Sequence, residues 1–178
     1  MRQEAGFGLI ELLMAMTILN VGILAVVAAF NSGIVSARRS GMISTASVLA
    51  DKQIELYRAL TYDAISLDAS SIPGTTPYTS DPAWSSTQVT ASCTTPLPAQ
   101  CNASRTIDAT TTPASPDRHK YRVDTYIVND HPAATSRTLR KVTVVVRDGA
   151  NLAKVLARET STFDCSTALP YAPGCPTT

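Results

Sequence analysis

The stretch "GFGLIELLMAMTILNVGILAVVAAF", residues 6–30, decides how the rest of the chain is read. From Leu12 to Phe30 nineteen residues pass without a charge. A helix rising about 1.5 Å per residue needs roughly that many to cross about 30 Å of hydrocarbon. A soluble core helix of this kind would need more surrounding protein than 178 residues provide. A secretory signal peptide is the stronger rival, with Arg2 as its basic start and Ala25, Ala28 and Ala29 as small residues for cleavage. Its usual apolar core is only about 7–15 residues long, and Glu4 and Glu11 are unhelpful in such a segment. Glu11 is the anomaly: a carboxylate entering lipid unpaired costs about 3 kcal/mol or more. A cation from a neighbour would remove that cost. Cutting the chain between Gly6 and Phe7 would create an α-amino group four residues before Glu11. On an adjacent, axially offset copy of the helix, that amine could pair with the carboxylate and set the register of a helix bundle.

The run Gly6-Phe7-Gly8-Leu9-Ile10-Glu11 resembles the processing site of type IV pilins and of the pseudopilins of type II secretion. The resemblance implies a leader, residues 1–6, removed by a prepilin peptidase/methyltransferase that also methylates the new N-terminal Phe7. It makes Glu11 the carboxylate that supports assembly with other pilin or pseudopilin subunits. It further implies membrane lipid as first surroundings, an inner-membrane assembly platform as partner, and a head outside the cytoplasm of a bacterial cell. Two departures stand out: Gly8 takes a position that is commonly Thr, and the leader is weakly basic because Glu4 offsets Arg2. The positive-inside rule reads Arg38 and Arg39 the other way, toward a cytoplasmic head, so orientation here follows the resemblance.

Beyond residues 7–30, the transmembrane and filament-core segment, apolar periodicity continues through 31–65. Met42, Ala46, Leu49, Gln53, Ile54, Tyr57 and Leu60 recur at helical steps, opposite Arg39, Asp51, Lys52, Glu55 and Arg58. The helix is expected to end between Tyr62 and Leu67. The words "LADKQIELYRALTYD", residues 49–63, resemble the segment after the anchor in PilV-type minor pilins. Residues 66–117 hold seven Pro, no Lys and one Arg, and read as loop, with Val89 and Thr90 at most a short strand. Tyr78 and Trp84 are the residues available to pin that loop to the head. Strand alternation returns at Tyr121–Val128, Leu139–Arg147 and Leu152–Thr160, with Asp148-Gly149 a turn signal between the last two. The expected fold is therefore α+β, a long N-terminal helix packed on a small antiparallel sheet of three or four strands within 118–164.

Four cysteines allow three full pairings, and none has CxxC spacing. Spacing favours Cys93 with Cys101 and Cys165 with Cys175, the second pair closing a C-terminal loop, 165–178. Structural disulfides suit a location outside the cytoplasm.

Catalysis has little support. His119 with Asp117, or His119 with Asp124, lacks a third partner at a recognised spacing, and no phosphate-binding Gly-rich loop occurs. No metal and no cofactor are expected. Residues 118–164 carry nine Lys or Arg against five acids. Arg118, Lys120, Arg122, Arg137, Arg140 and Lys141 form a candidate basic surface for nucleic acid, against which stands ordinary solvated strand charge. Two functions follow: a structural filament subunit, minor pilin or pseudopilin, or a filament-borne module binding DNA, a secreted substrate or a surface through its head.

Overall fold

The computed structural model describes residues 8–130 and 138–164. The chain divides into two compact units, Met1–Gly41 and Met42–Thr178. In chain order the elements are helix α1 (Leu9–Arg58), 3-10 turns at Tyr62–Ala64 and Ala69–Ser71, and strands β1 (Ser104–Ile107), β2 (Tyr121–Asp130), β3 (Leu139–Asp148) and β4 (Val155–Asp164). The strands form one antiparallel sheet in the order β1-β2-β3-β4. The last turns of α1 pack on it, giving the α+β arrangement.

In the second unit the helical stripe is buried as its spacing predicts: Ala46, Leu49, Ala50, Gln53, Ile54 and Tyr57 are the buried residues of α1. They meet the sheet face carrying Tyr121, Val123, Ile127, Val142, Val144 and Val146. Each such side chain taken fully out of water contributes about 1.5–3 kcal/mol. The helix stops short of the expected 62–67. Leu60 N–H already bonds Tyr57 O at 3.1 Å, a tightened last turn. Beyond it, Arg140 draws the carbonyls of Tyr62 and Ile65 (2.8 Å to the latter) onto its guanidinium, which lies 4.5 Å over the Tyr62 ring. Tyr62, which the helix is expected to reach, is held in a 3-10 turn instead.

The opposite face of the sheet is covered at its centre, while Lys141, Arg158, Thr160 and Thr162 stay exposed toward the β4 edge. Tyr78, fully buried, stacks on Tyr126 with centroids 4.4 Å apart and meets Trp84 edge-on at 5.5 Å. Its hydroxyl donates to Thr125 O at 2.6 Å, and Tyr126 donates back to Tyr78 O at 3.1 Å. The continuous run Val144–Val146 in "KVTVVVR" follows from this, because a strand covered on both sides has no polar face. The Ser/Thr/Pro-rich region also closes the outer edge of β2. Along one end it supplies β1, a strand absent from the sequence reading. Along the other, Val89 N–H donates to Ile127 O at 2.8 Å, Ile127 N–H donates to Gln88 Oε1 at 2.8 Å, and Leu67 bridges Thr90. Every hydrogen-bonding group so covered is one fewer open template for aggregation.

β4 begins at Val155 and runs to Asp164, later than the expected 152–160, because the turn after Asp148-Gly149 is wider than a two-residue hairpin. Asp148 N–H reaches Lys154 O at 3.0 Å across it. Gly149 is required there for close approach: its N–H donates to Lys120 O at 2.8 Å, and a Cβ would lie 2.6 Å from that oxygen.

Candidate functional site

Among the described residues, the cations of the candidate basic surface do not share a face. Adjacent strand residues point to opposite sides, so Arg140 and Lys141 are separated by the sheet itself. Arg140 lies on the α1 side, bound to the Tyr62–Ile65 turn. Arg122 lies on the other side, where its Nε contacts Asp124 at 2.8 Å and Ser104 Oγ at 2.9 Å. Arg118, Lys120 and Lys141 are exposed, and Arg137 lies outside the described residues. Proximity in sequence was therefore the wrong guide to a patch.

What the strands assemble instead is a buried ionic layer that sequence reasoning missed. Asp124, fully buried, accepts from Arg122, from Ser104 Oγ at 2.6 Å and from Arg147 Nε at 3.1 Å. Arg147 also bonds Asp81, whose two oxygens accept Arg158 Nη2 at 2.9 and 2.8 Å. Burial alone would raise the Asp81 pKa; hydrogen bonds from Arg158 and Ala83 N–H, with the charges of Arg158 and Arg147, hold it below the usual carboxylate value. This layer fastens the Tyr78–Trp84 segment to the sheet. The His119 ring contacts Asp148 at 3.0 Å, while Asp117 takes the Tyr121 hydroxyl, so the imagined His119–Asp117 and His119–Asp124 side-chain pairs do not form. Among the described residues no three His, Cys, Asp or Glu are grouped to hold a metal.

Cys93 and Cys101 are joined in a disulfide, and Cys165 and Cys175 lie outside the described residues. The crosslinked loop docks on α1: Gln53 Nε2 donates to Ala99 O at 3.0 Å and Tyr57 donates to Gln100 O at 2.6 Å. Burial pushes the Tyr57 phenol up to about 12, which keeps it a donor at neutral pH.

The first unit has a different character. α1 opens at Leu9 after Gly8, whose carbonyl accepts from Glu11 N–H at 3.0 Å. Glu11 stands exposed in the first turn, where the positive end of the helix dipole favours a carboxylate. Around it the large apolar side chains are bare, from Leu9 at 78% exposed to Ile34 at 49%. A helix apolar on every side needs lipid or other helices as cover. α1 is long and apolar enough to cross a membrane. Residues 1–27 match the family model described as the prokaryotic N-terminal methylation motif. The chain carries a prepilin-type methylation motif. The matched prepilin segment includes Gly6 and Phe7, which lie outside the described residues, and Glu11. The motif implies processing by a prepilin peptidase and assembly with other pilins, and supports a type IV pilin-like or pseudopilin subunit, a structural role. With the apolar helix it fits membrane anchoring followed by entry into a filament. Comparison with curated proteins and with solved structures gives no match.

Proposed function

We propose that this chain is a structural subunit of a type IV pilus or type II secretion filament, and within that class a minor pilin or pseudopilin. The observation that carries the reading is the methylation motif running directly into an uncovered apolar helix that is followed by an α+β head. On this reading the peptidase cuts between Gly6 and Phe7 and methylates Phe7. Residues 7–30 hold the subunit in lipid, head outside the cytoplasm, until the assembly platform moves it. Apolar surface then passes from lipid into a bundle of like helices. Glu11 pairs with the terminal amine of an adjacent subunit, so its charge is never left bare. The Cys93–Cys101 disulfide supports an outside head, against the pull of Arg38 and Arg39. The weakly basic leader and the PilV-like segment 49–63 support the minor class. A DNA-binding head draws less support, since Arg122 and Arg140 are tied into opposite sides of the sheet.

Intact-mass analysis of protein recovered from filaments tests the processing step. The expected species begins at Phe7 and carries one added methyl group; a filament species that retains Met1–Gly6 would overturn the reading.

A further inference from the structure

The 3-10 turn Ala69–Ser71 is preceded by Asp68, and this one residue touches both ends of the crosslinked loop. Its Oδ2 accepts the Cys93 backbone N–H at 3.0 Å. Its own backbone N–H donates to the Cys101 carbonyl at 2.8 Å. Its Oδ1 is held by the Ser70 N–H at 2.9 Å and the Ser70 hydroxyl at 2.5 Å, which fixes the carboxylate in an Asx turn. Ser71 sits at the same junction: its hydroxyl donates to Asp68 O at 2.7 Å, with Cys101 O a longer second acceptor at 3.1 Å, and accepts Ala103 N–H at 2.9 Å. The two chain ends that the disulfide joins are therefore also joined without it.

We propose that Asp68 is a non-covalent clasp that closes the 93–101 loop before its cysteines are oxidised, making them a preorganised dithiol for disulfide exchange. Closing a flexible loop costs conformational entropy, and any contact that holds the ends together in the reduced chain removes that cost from the oxidation step. The ends are not the only fixed points, because the loop carbonyls of Ala99 and Gln100 seat on Gln53 and Tyr57 between them. The exchange itself is ordinary. One cysteine thiolate attacks a small-molecule disulfide and expels one thiol, and the second thiolate then displaces the other from the mixed disulfide. The protein thiols give up two protons and two electrons, and the small disulfide becomes two thiols. Asp68 acts here by position. Its negative charge beside Cys93 disfavours the thiolate, so thiol activation is not its contribution. The hydrogen bonds of Ser70 and of Cys93 N–H hold its carboxyl below the usual range, so it is ionised, a full acceptor, at the pH where thiols exchange. The inference does not depend on the filament reading.

The full chain in detergent micelles, with Cys165→Ser and Cys175→Ser so that a single pair reacts, is equilibrated with reduced and oxidised glutathione. It is then trapped by alkylation and read by mass spectrometry. Asp68→Ala removes the bond from Cys93 N–H but keeps the backbone bond to Cys101 O. For a partly exposed acceptor, that lowers the effective concentration of the two thiols roughly threefold to tenfold. Asp68→Asn has one acceptor oxygen for two sets of donors, Cys93 N–H and Ser70, so its effective concentration falls between those of Asp68→Ala and the parent. In the reduced parent, the Cys93 amide exchanges slowly with deuterium, and in reduced Asp68→Ala it exchanges fast. A folded Asp68→Ala protein with the parental effective concentration overturns the proposal. So does a Cys93 amide in the reduced parent that exchanges at the rate of an open loop, a result that decides the matter even where Asp68→Ala fails to fold.

Discussion

Asp81 comes from the Ser/Thr/Pro-rich region, yet it answers two guanidiniums from strands β3 and β4. Its side chain is 1% exposed, and Arg147 beside it is 5% exposed, so neither charge has water as an alternative partner. Breaking a buried pair by removing one member costs about 3–5 kcal/mol, mostly because the other charge stays buried. Asp124 still answers Arg147, so Asp81→Ala is expected near the lower end, about 3 kcal/mol by urea unfolding at pH 7. The pH dependence has a definite sign. The folded carboxyl lies below its unfolded value, about 3.9, so its contribution is complete above that pH and is lost as pH falls through the folded value. The stability gap between parent and Asp81→Asn should therefore narrow with acidification below about pH 4; a gap constant down to pH 2 would refute the assignment. None of this was legible residue by residue. Arg147 reads in the sequence as the polar end of a strand, and its partner lies 66 positions earlier in a segment with no periodicity to place it.

At the scale of elements, legibility followed repetition. The second half of α1 announces itself because burial on one side imposes a 3.6-residue period, β2 by the alternation of its apolar residues, and β3 by an apolar centre between polar ends. The Tyr78–Trp84 segment buries its aromatics against a surface that the sheet provides, so its own spacing records nothing. Tyr78 and Trp84 could be named as pins, but their target could not. β1 holds a single buried residue, Ile107, in four, too few to show alternation. The hint that went furthest was the unbroken Val144–Val146 centre, which implies cover on both faces. A sheet with one wet face and a sheet between two layers differ in a measurable way. Ile54→Ala on the helix side should cost about 2–5 kcal/mol, and Tyr78→Ala on the loop side about as much, by cavity formation. Urea unfolding of both variants makes the comparison. If Tyr78→Ala changes stability by less than about 1 kcal/mol, in the range of a surface substitution, the loop does not act as a structural layer.

For the molecule as a whole, the first thirty residues were the most legible because they announce a solvent more than a shape. An uncharged run of membrane length says what must surround it, and the methylation motif supports the processing proposed for it. The head's cysteine spacing and sheet could be anticipated, but not its contacts, since those depend on pairings between distant segments. The division into units Met1–Gly41 and Met42–Thr178 lets the role of Glu11 be separated from folding. Glu11 is exposed and makes no side-chain bond within the described residues, so Glu11→Ala should leave the head's urea midpoint where it is. Removing a charge from an apolar helix makes residence in lipid easier, by up to about 3 kcal/mol near the membrane centre and less at its edge. The variant should therefore be retained in the membrane fraction at least as well as the parent. If the carboxylate meets a neighbour's amine during assembly, the same change should remove the subunit from sheared filaments. A fully folded, membrane-held and unassembled protein is thus the expected signature. Loss from both membrane and filament would point to an insertion defect instead, and parental incorporation of Glu11→Ala would leave the carboxylate without the assembly role proposed for it.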